Sequence, residues 1–224
     1  MGRSCRMRRF WKWIKRVFRK KPVSLPKVPQ ETEPDIILSG FVPSKYQEHY
    51  TKLWETMEIR DSKKSTISWY TKQAIKNRER YEKVADKARV PWEVIAVIHL
   101  LESSGDFKGV LHNGDEIIGT GLKTYRVPKG RGPFNTWEEA AMDALGIKKQ
   151  PLVWAIADTL YYLELYNGLG YLRDPGKPNS PYLWSFSNHY IKGKYVSDGK
   201  YSSTAVSKQC GAAVILKELG YEQS

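Results

Sequence analysis

From Pro91 to Gly105 the chain has almost no polar face. Val94, Ile95, Ala96, Val97, Ile98, Leu100 and Leu101 cover nearly the whole circumference of a helix. A short helix that is apolar all round predicts a core helix of a globular domain. Pro91 suits its first position, where the missing N–H costs nothing, and Gly105 suits a left-handed stop. The pattern breaks at Glu102, just before Ser103-Ser104-Gly105. A carboxyl there falls where a buried helix emerges, at the wall of a cleft. Apolar surroundings disfavour the charged form and raise a carboxyl's pKa, as a general acid at neutral pH requires. By position alone, a solvated surface Glu is the commoner case.

Similar periodicities organise the rest. Tyr46, Tyr50, Leu53, Trp54 and Met57 mark one face of a helix, which Ser44 and Gln47 would open as a capping box. Ile67, Tyr70, Ala74, Tyr81, Val84, Ala85 and Ala88 predict one helix over about 65–88. Gly109, Gly114, Gly119, Gly121, Gly130 and Gly132 then break any helix. The short β-favouring pieces between them predict a small antiparallel hairpin or irregular lobe over 106–135, entered directly from Glu102. Thr136 with Glu139 forms a capping box before an Ala-rich helical face. A longer helix is predicted from about Pro151 to Tyr166, ended by Asn167-Gly168-Leu169-Gly170. Another runs from Ser180-Pro181 to Tyr190, 193–199 is a turn-rich connector, and a last helix covers about 203–219.

Charge changes the picture at the N-terminus only. Ten of the 37 Lys and Arg lie in residues 1–21, which hold no acid; the remainder has 27 basic against 24 acidic residues. The formal net charge of +13 therefore belongs mainly to the tail, which makes nucleic acid an unlikely partner for the main body. Phe10, Trp13 or Ile14, Val17 and Phe18 recur at helical spacing among the tail's Lys and Arg. Residues 1–21 thus read as a cationic amphipathic segment that would meet anionic membrane or lipopolysaccharide through residues 3–21. The plain alternative is a disordered solubilising tail. Pro22, Pro26, Pro29, Pro34 and Pro43 make 22–43 an extended linker, and the domain proper is expected over 44–224.

Composition adds bounds. Eight Trp and fourteen Tyr suit aromatic-lined grooves of the kind that bind carbohydrate. Cys5 and Cys210 lie in unrelated contexts and suggest neither a disulfide framework nor a Cys-based metal site. Four scattered His show no metal-ligand spacing, so no metal and no cofactor is expected. No apolar run is long enough for a transmembrane helix, and the N-terminus is a poor secretory signal.

The segment Val-Pro-Trp-Glu-Val-Ile-Ala-Val-Ile-His-Leu-Leu-Glu-Ser-Ser-Gly-Asp-Phe, residues 90–107, resembles the catalytic segment of the lysozyme-like superfamily. It is most similar to soluble lytic transglycosylases and phage or bacterial peptidoglycan hydrolases. Leu111-His112-Asn113-Gly114-Asp115, Val127-Pro128-Lys129-Gly130-Arg131, Trp137-Glu138-Glu139-Ala140 and the 163–171 segment Leu-Glu-Leu-Tyr-Asn-Gly-Leu-Gly-Tyr agree with it. The resemblance covers about 65–219. It implies a mainly α-helical, lysozyme-like domain with a small β-hairpin or irregular lobe. It also implies cleavage of the β-1,4 glycan strand of peptidoglycan, with Glu102 as general acid and Tyr166 and Asn167 lining the cleft opposite it. The family's usual Ala-Tyr-Asn-Ala-Gly appears here as Tyr-Asn-Gly-Leu-Gly, which leaves muramidase and lytic transglycosylase both open.

The remaining site residues have two readings each. Asp115 is either a second carboxylate that activates water or acts as nucleophile, or the Asx residue of an Asn-Gly-Asp turn. Asp106 is a weaker candidate for the same role. Ser103 supports Glu102 or simply ends the helix. His112 and Asn113 line the cleft or belong to the loop. Trp184, in the aromatic stretch 182–190, stacks on sugar or belongs to the core. The expected partner is the peptidoglycan glycan strand, reached in the bacterial periplasm by a phage lysin or virion-associated enzyme. The rival reading is a non-catalytic envelope- or nucleic-acid-binding protein, with the body as scaffold and the basic tail as binding element.

Overall fold

The computed structural model describes residues 40–197 and 199–221. The basic segment 1–21 with Cys5, and all but the last few residues of the proline-rich stretch, lie outside the described residues. The described chain is mainly helical, with one small antiparallel sheet. Its helices are α1 (Ser44–Glu55), α2 (Lys64–Lys76), α3 (Arg78–Ala88), α4 (Trp92–Ser103), α5 (Trp137–Gly146), α6 (Ile156–Asn167), α7 (Pro181–Trp184) and α8 (Ala212–Glu218). Strands β1 (Lys194–Ser197) and β2 (Lys200–Ser202) form the sheet. No helix among the described residues is long and apolar enough to cross a membrane.

Helix α4 is the hub. It packs against α2, α3, α6 and α8, and every residue from Val94 to Leu101 is buried. Its one polar member in that run, His99, is satisfied at both ring nitrogens, by the Tyr81 hydroxyl at 2.9 Å and the Asp106 carbonyl at 3.1 Å. Burial pushes the imidazole down to about 4, so it is neutral at pH 7. Around the hub, α1 packs on α6 and α5 on α3. Phe41 and Val42 already belong to this body: Val42 is buried and its N–H donates to Asp158 Oδ1 at 2.9 Å. Packing thus reaches slightly into the stretch read as linker.

Several elements depart from the sequence pattern for local reasons. The single helix expected over 65–88 divides at Asn77, whose side-chain amide donates to the Gln73 carbonyl at 2.9 Å. Asn competes in this way with the helix's own backbone bonds. Pro43, not Ser44, takes the cap position of α1, with no side-chain cap bond. The capping box before α5 is present in its main part: Thr136 Oγ1 accepts from the Glu139 N–H at 3.2 Å. Helix α6 begins at Ile156 rather than near Pro151. Helix α7 lasts one turn; Phe186, with φ of 75°, turns the chain away soon after it. Helix α8 begins only at Ala212, behind Gly211. A side chain at Gly211 would stand 2.2 Å from the Leu183 carbonyl, so only glycine permits this approach to α7.

The lobe over 106–135 is irregular. Among the described residues it holds one isolated β-bridge, between Gly109 and Glu116, and is otherwise tied by scattered backbone bonds such as Gly119 N–H to the Phe134 carbonyl at 2.9 Å. Val110, Ile117 and Phe134 give it a small core of its own against Ala140 of α5. The hairpin sits instead in the stretch read as a connector. There Tyr195 faces Tyr201 across the sheet, their rings 5.5 Å apart. Aromatic cross-strand contact stabilises such short pairings where glycine turns allow them.

Candidate active site

The carboxyl at the end of α4 is built by two opposed demands. The apolar run carries the helix through the core, and the left-handed residues Ser104 (φ 54°) and Gly105 (φ 77°) end it. Ser103 turns its hydroxyl back onto the His99 carbonyl at 3.0 Å, so it completes the helix end. Glu102, half-buried, is left at the exit. Burial pushes its carboxyl up to about 7, and the Tyr182 hydroxyl, donating to Oε1 at 3.4 Å, offsets part of that rise. Among the described residues no neighbouring charge adds to the shift; desolvation sets it.

Two tyrosines surround this carboxyl. Tyr166, at the end of α6, donates to the Leu111 carbonyl at 2.6 Å and so ties α6 to the irregular lobe. Tyr182 comes from α7. Burial first, and then the nearby Glu102, hold both hydroxyls well above their usual range, so both stay protonated donors. Asn167 is exposed and lines a groove of about 480 Å³ with Gly168, Tyr171, Tyr182, Tyr195 and Gln209. Tyr182 therefore links Glu102 to the groove. The hairpin forms part of the groove's wall, with Tyr171 Oη accepting from the Tyr195 N–H at 2.9 Å.

Of the residues singled out in the sequence, Glu102 and Tyr166 come together and Asn167 lies on the adjoining groove. The others do different work. Asp115 is fully enclosed. Its Oδ2 accepts from the backbone N–H groups of Tyr125 and Arg126 at 2.8 and 3.0 Å, and Arg126 Nε stands 3.5 Å from Oδ1. Its own N–H donates to Asn113 Oδ1 at 3.0 Å, so the turn is an Asx turn whose Asx residue is Asn113 and not, as the alternative reading had it, Asp115. A carboxylate used twice by backbone and closed to solvent organises the lobe and is not presented to a substrate. Asp106 likewise caps its own turn, accepting from the Lys108 N–H at 2.9 Å. Asn113 spends its amide on the carbonyls of Arg126 and Val127. His112 is buried, stacked on Phe134 and bonded to Asp143 Oδ2 at 2.8 Å, where Arg131 also pairs. Asp115, Asn113 and His112 brace the lobe from within, adding side-chain bonds to a backbone with little regular strand pairing. Trp184 is buried in the core, its ring edge-on to His189, so it offers no stacking face.

Three residues of this region had no separate place in the sequence reading. Tyr182 carries no signal beyond membership of an aromatic stretch. Gln209 lay inside an expected helix, yet its Nε2 donates to the Leu101 carbonyl at 2.6 Å, closing the end of α4. Glu164, two residues before Tyr166, is a second buried carboxyl, pushed by burial up to about 8. No group of three or more His, Cys, Asp or Glu among the described residues could hold a metal ion.

No family model, curated protein or solved structure matches this chain.

Proposed function

We propose that the protein is a lysozyme-like glycosidase that cleaves the β-1,4 glycan strand of peptidoglycan, with Glu102 as general acid. The observation that carries this reading is the state of Glu102. It is a carboxyl held near 7 by burial, with some exposure and a tyrosine hydroxyl beside it, next to an aromatic-walled groove. A protonated carboxyl at neutral pH is what delivery of a proton to a glycosidic oxygen needs. Tyr182, a neutral donor, would orient the acid, and Tyr166, whose hydroxyl is given to the Leu111 carbonyl, would keep α6 and the lobe in place around it.

Asp115 is enclosed, and no other carboxylate contributes to the shift of Glu102. That favours participation by the substrate's own atoms, closing an anhydro-sugar as lytic transglycosylases do, over a two-carboxylate hydrolysis. Glu102 would then first donate its proton to the leaving oxygen and afterwards take one back as the ring closes. The test is product mass spectrometry on purified sacculi. Chains ending in 1,6-anhydro sugar support this route, and reducing ends indicate a muramidase. Glu102→Gln should lose at least a hundredfold in rate. Unchanged turbidity loss with that variant would end the catalytic assignment.

A further inference from the structure

Three buried polar atoms that play no part at Glu102 meet at one cavity. Glu164 of α6, Tyr50 of α1 and Ser180 just before α7 are 2%, 1% and 3% exposed. Glu164 Oε1, Tyr50 Oη and Ser180 Oγ each have no hydrogen-bond partner within the protein. All three residues line the same cavity of about 240 Å³. A buried polar group without a partner costs roughly 1–3 kcal/mol, so three on one cavity, from three elements, mark a place built to hold something polar. The groups face one another. Ser180 offsets part of the burial-driven rise of the Glu164 carboxyl, though outside hydrogen-bond geometry, and Glu164 in turn raises Tyr50.

The chemistry of the set is specific. It offers one carboxyl and two hydroxyls, with Tyr171 also on the lining. Lys177 also lines the cavity, but it is paired with Asp174. His49 is kept below its usual value by burial and by His189, so it is neutral at pH 7 and adds no charge. Glu164 is thus the one carboxyl there left without an ion partner; burial keeps it mostly protonated at pH 7, and a cation seated beside it would draw it to carboxylate. A primary ammonium group carries three N–H donors and one positive charge, matching the oxygens of Glu164, Tyr50 and Ser180 and compensating the charge that Glu164 takes on when it ionises. An alcohol brings one O–H donor and no charge, so it leaves acceptors unused and does not draw Glu164 into its ionised form. A divalent metal demands more oxygen ligands than this. The Tyr171 ring further favours a cation.

We propose that this cavity is a binding site for a primary ammonium group, held by Glu164, Tyr50 and Ser180. Tyr171 lines both this cavity and the groove beside Glu102. Resting on the glycan-cleaving reading above, the bearer of the ammonium is the free side-chain amine of the peptide attached to the glycan strand. Binding of a small amine depends on no such reading.

The test uses the full chain and three probes at equal ionic strength, namely ethylammonium chloride, tetramethylammonium chloride and ethanol with balancing salt. Calorimetry and thermal melting should show binding and a raised melting temperature with ethylammonium alone. Glu164→Gln should weaken that binding at least tenfold, and Ser180→Ala several-fold. If Glu164→Gln fails to fold, Ser180→Ala and Tyr50→Phe carry the comparison. Equal responses to all three probes, or undiminished binding by these variants, would overturn the site. A second arm compares sacculi before and after acetylation of their peptide amines. A tenfold or greater rise in KM on acetylation, absent in Glu164→Gln, supports the peptide amine; equal KM values overturn that source. Failure to cleave either sacculus would sink the glycan reading, while the ethylammonium arm still decides the cavity.

Discussion

Gly114 rests directly on the main-chain carbonyl of Glu102. A Cβ built on Gly114 would stand 2.2 Å from that oxygen, and the residue's φ of +74° is itself one that side chains rarely adopt. The Asn-Gly-Asp turn of the irregular lobe is therefore docked on the residue that carries the acid. Gly114→Ala should lower stability by about 2 kcal/mol or more, through strain and forced separation of lobe and helix. It should also cut glycan cleavage well beyond what the lost stability explains. A melt and a rate measured well below the melting point separate the two effects.

Asp115 follows in the same turn and supports it differently. Removing an ionised acceptor of two backbone N–H groups costs about 3 kcal/mol. Asp115→Ala should therefore melt several degrees lower, yet retain far more activity at low temperature than Glu102→Gln. Equal loss in both variants would return Asp115 to the list of catalytic groups.

Tyr182 holds Glu102 by a hydrogen bond that lowers the carboxyl's pKa against the larger effect of burial. Tyr182→Phe removes that restraint. The alkaline limb of the pH–rate profile should move up from about 7, and the maximal rate should fall about tenfold through loss of orientation. A limb that stays in place would show that the hydroxyl does not act on the acid.

Stability should also depend on pH in a defined sense. Glu102 and Glu164 have folded-state values raised to about 7 and about 8 from 4.5. Between those limits the native state binds more protons than the unfolded one, so stability falls as pH rises. The contribution is fully present below about 4.5 and lost by about 8. His99 and His112, lowered by burial, act oppositely: their contribution is present above about 6.5 and lost as pH falls. Thermal melts from pH 5 to 9 should show the alkaline decline, and Glu164→Gln should flatten part of it. An identical slope in the variant would contradict the buried-carboxyl account.

The cationic segment 1–21 offers a separate test. Its deletion should leave cleavage of purified sacculi unchanged and reduce action on whole cells. Equal whole-cell action with and without it would remove the membrane-binding role.

Periodicity alone determined the hub. A run apolar on every side can only be buried, and it ends at a carboxyl, so α4 and Glu102 were legible residue by residue. The expectation that Tyr166 would stand near that carboxyl rested on a resemblance and not on periodicity, and the concentration of charge at the N-terminus came from counting. Tertiary structure decided what the small polar residues do. Asp115, Asn113 and His112 have the composition of a cleft, but a glycine-rich lobe lacks regular backbone pairing, and their side chains replace it. The lobe over 106–135 took the irregular one of its two expected forms, and a hairpin formed where a connector was expected, because glycines permit a turn without fixing which segments pair; the ring contact between Tyr195 and Tyr201 lies across the strands. Tyr182, Gln209 and Glu164 gain their roles only because α7, the loop before α8 and α6 converge on the end of α4 and the space beside it. A linear pattern records which face of each element is buried, and not which distant side chain will stand beside it.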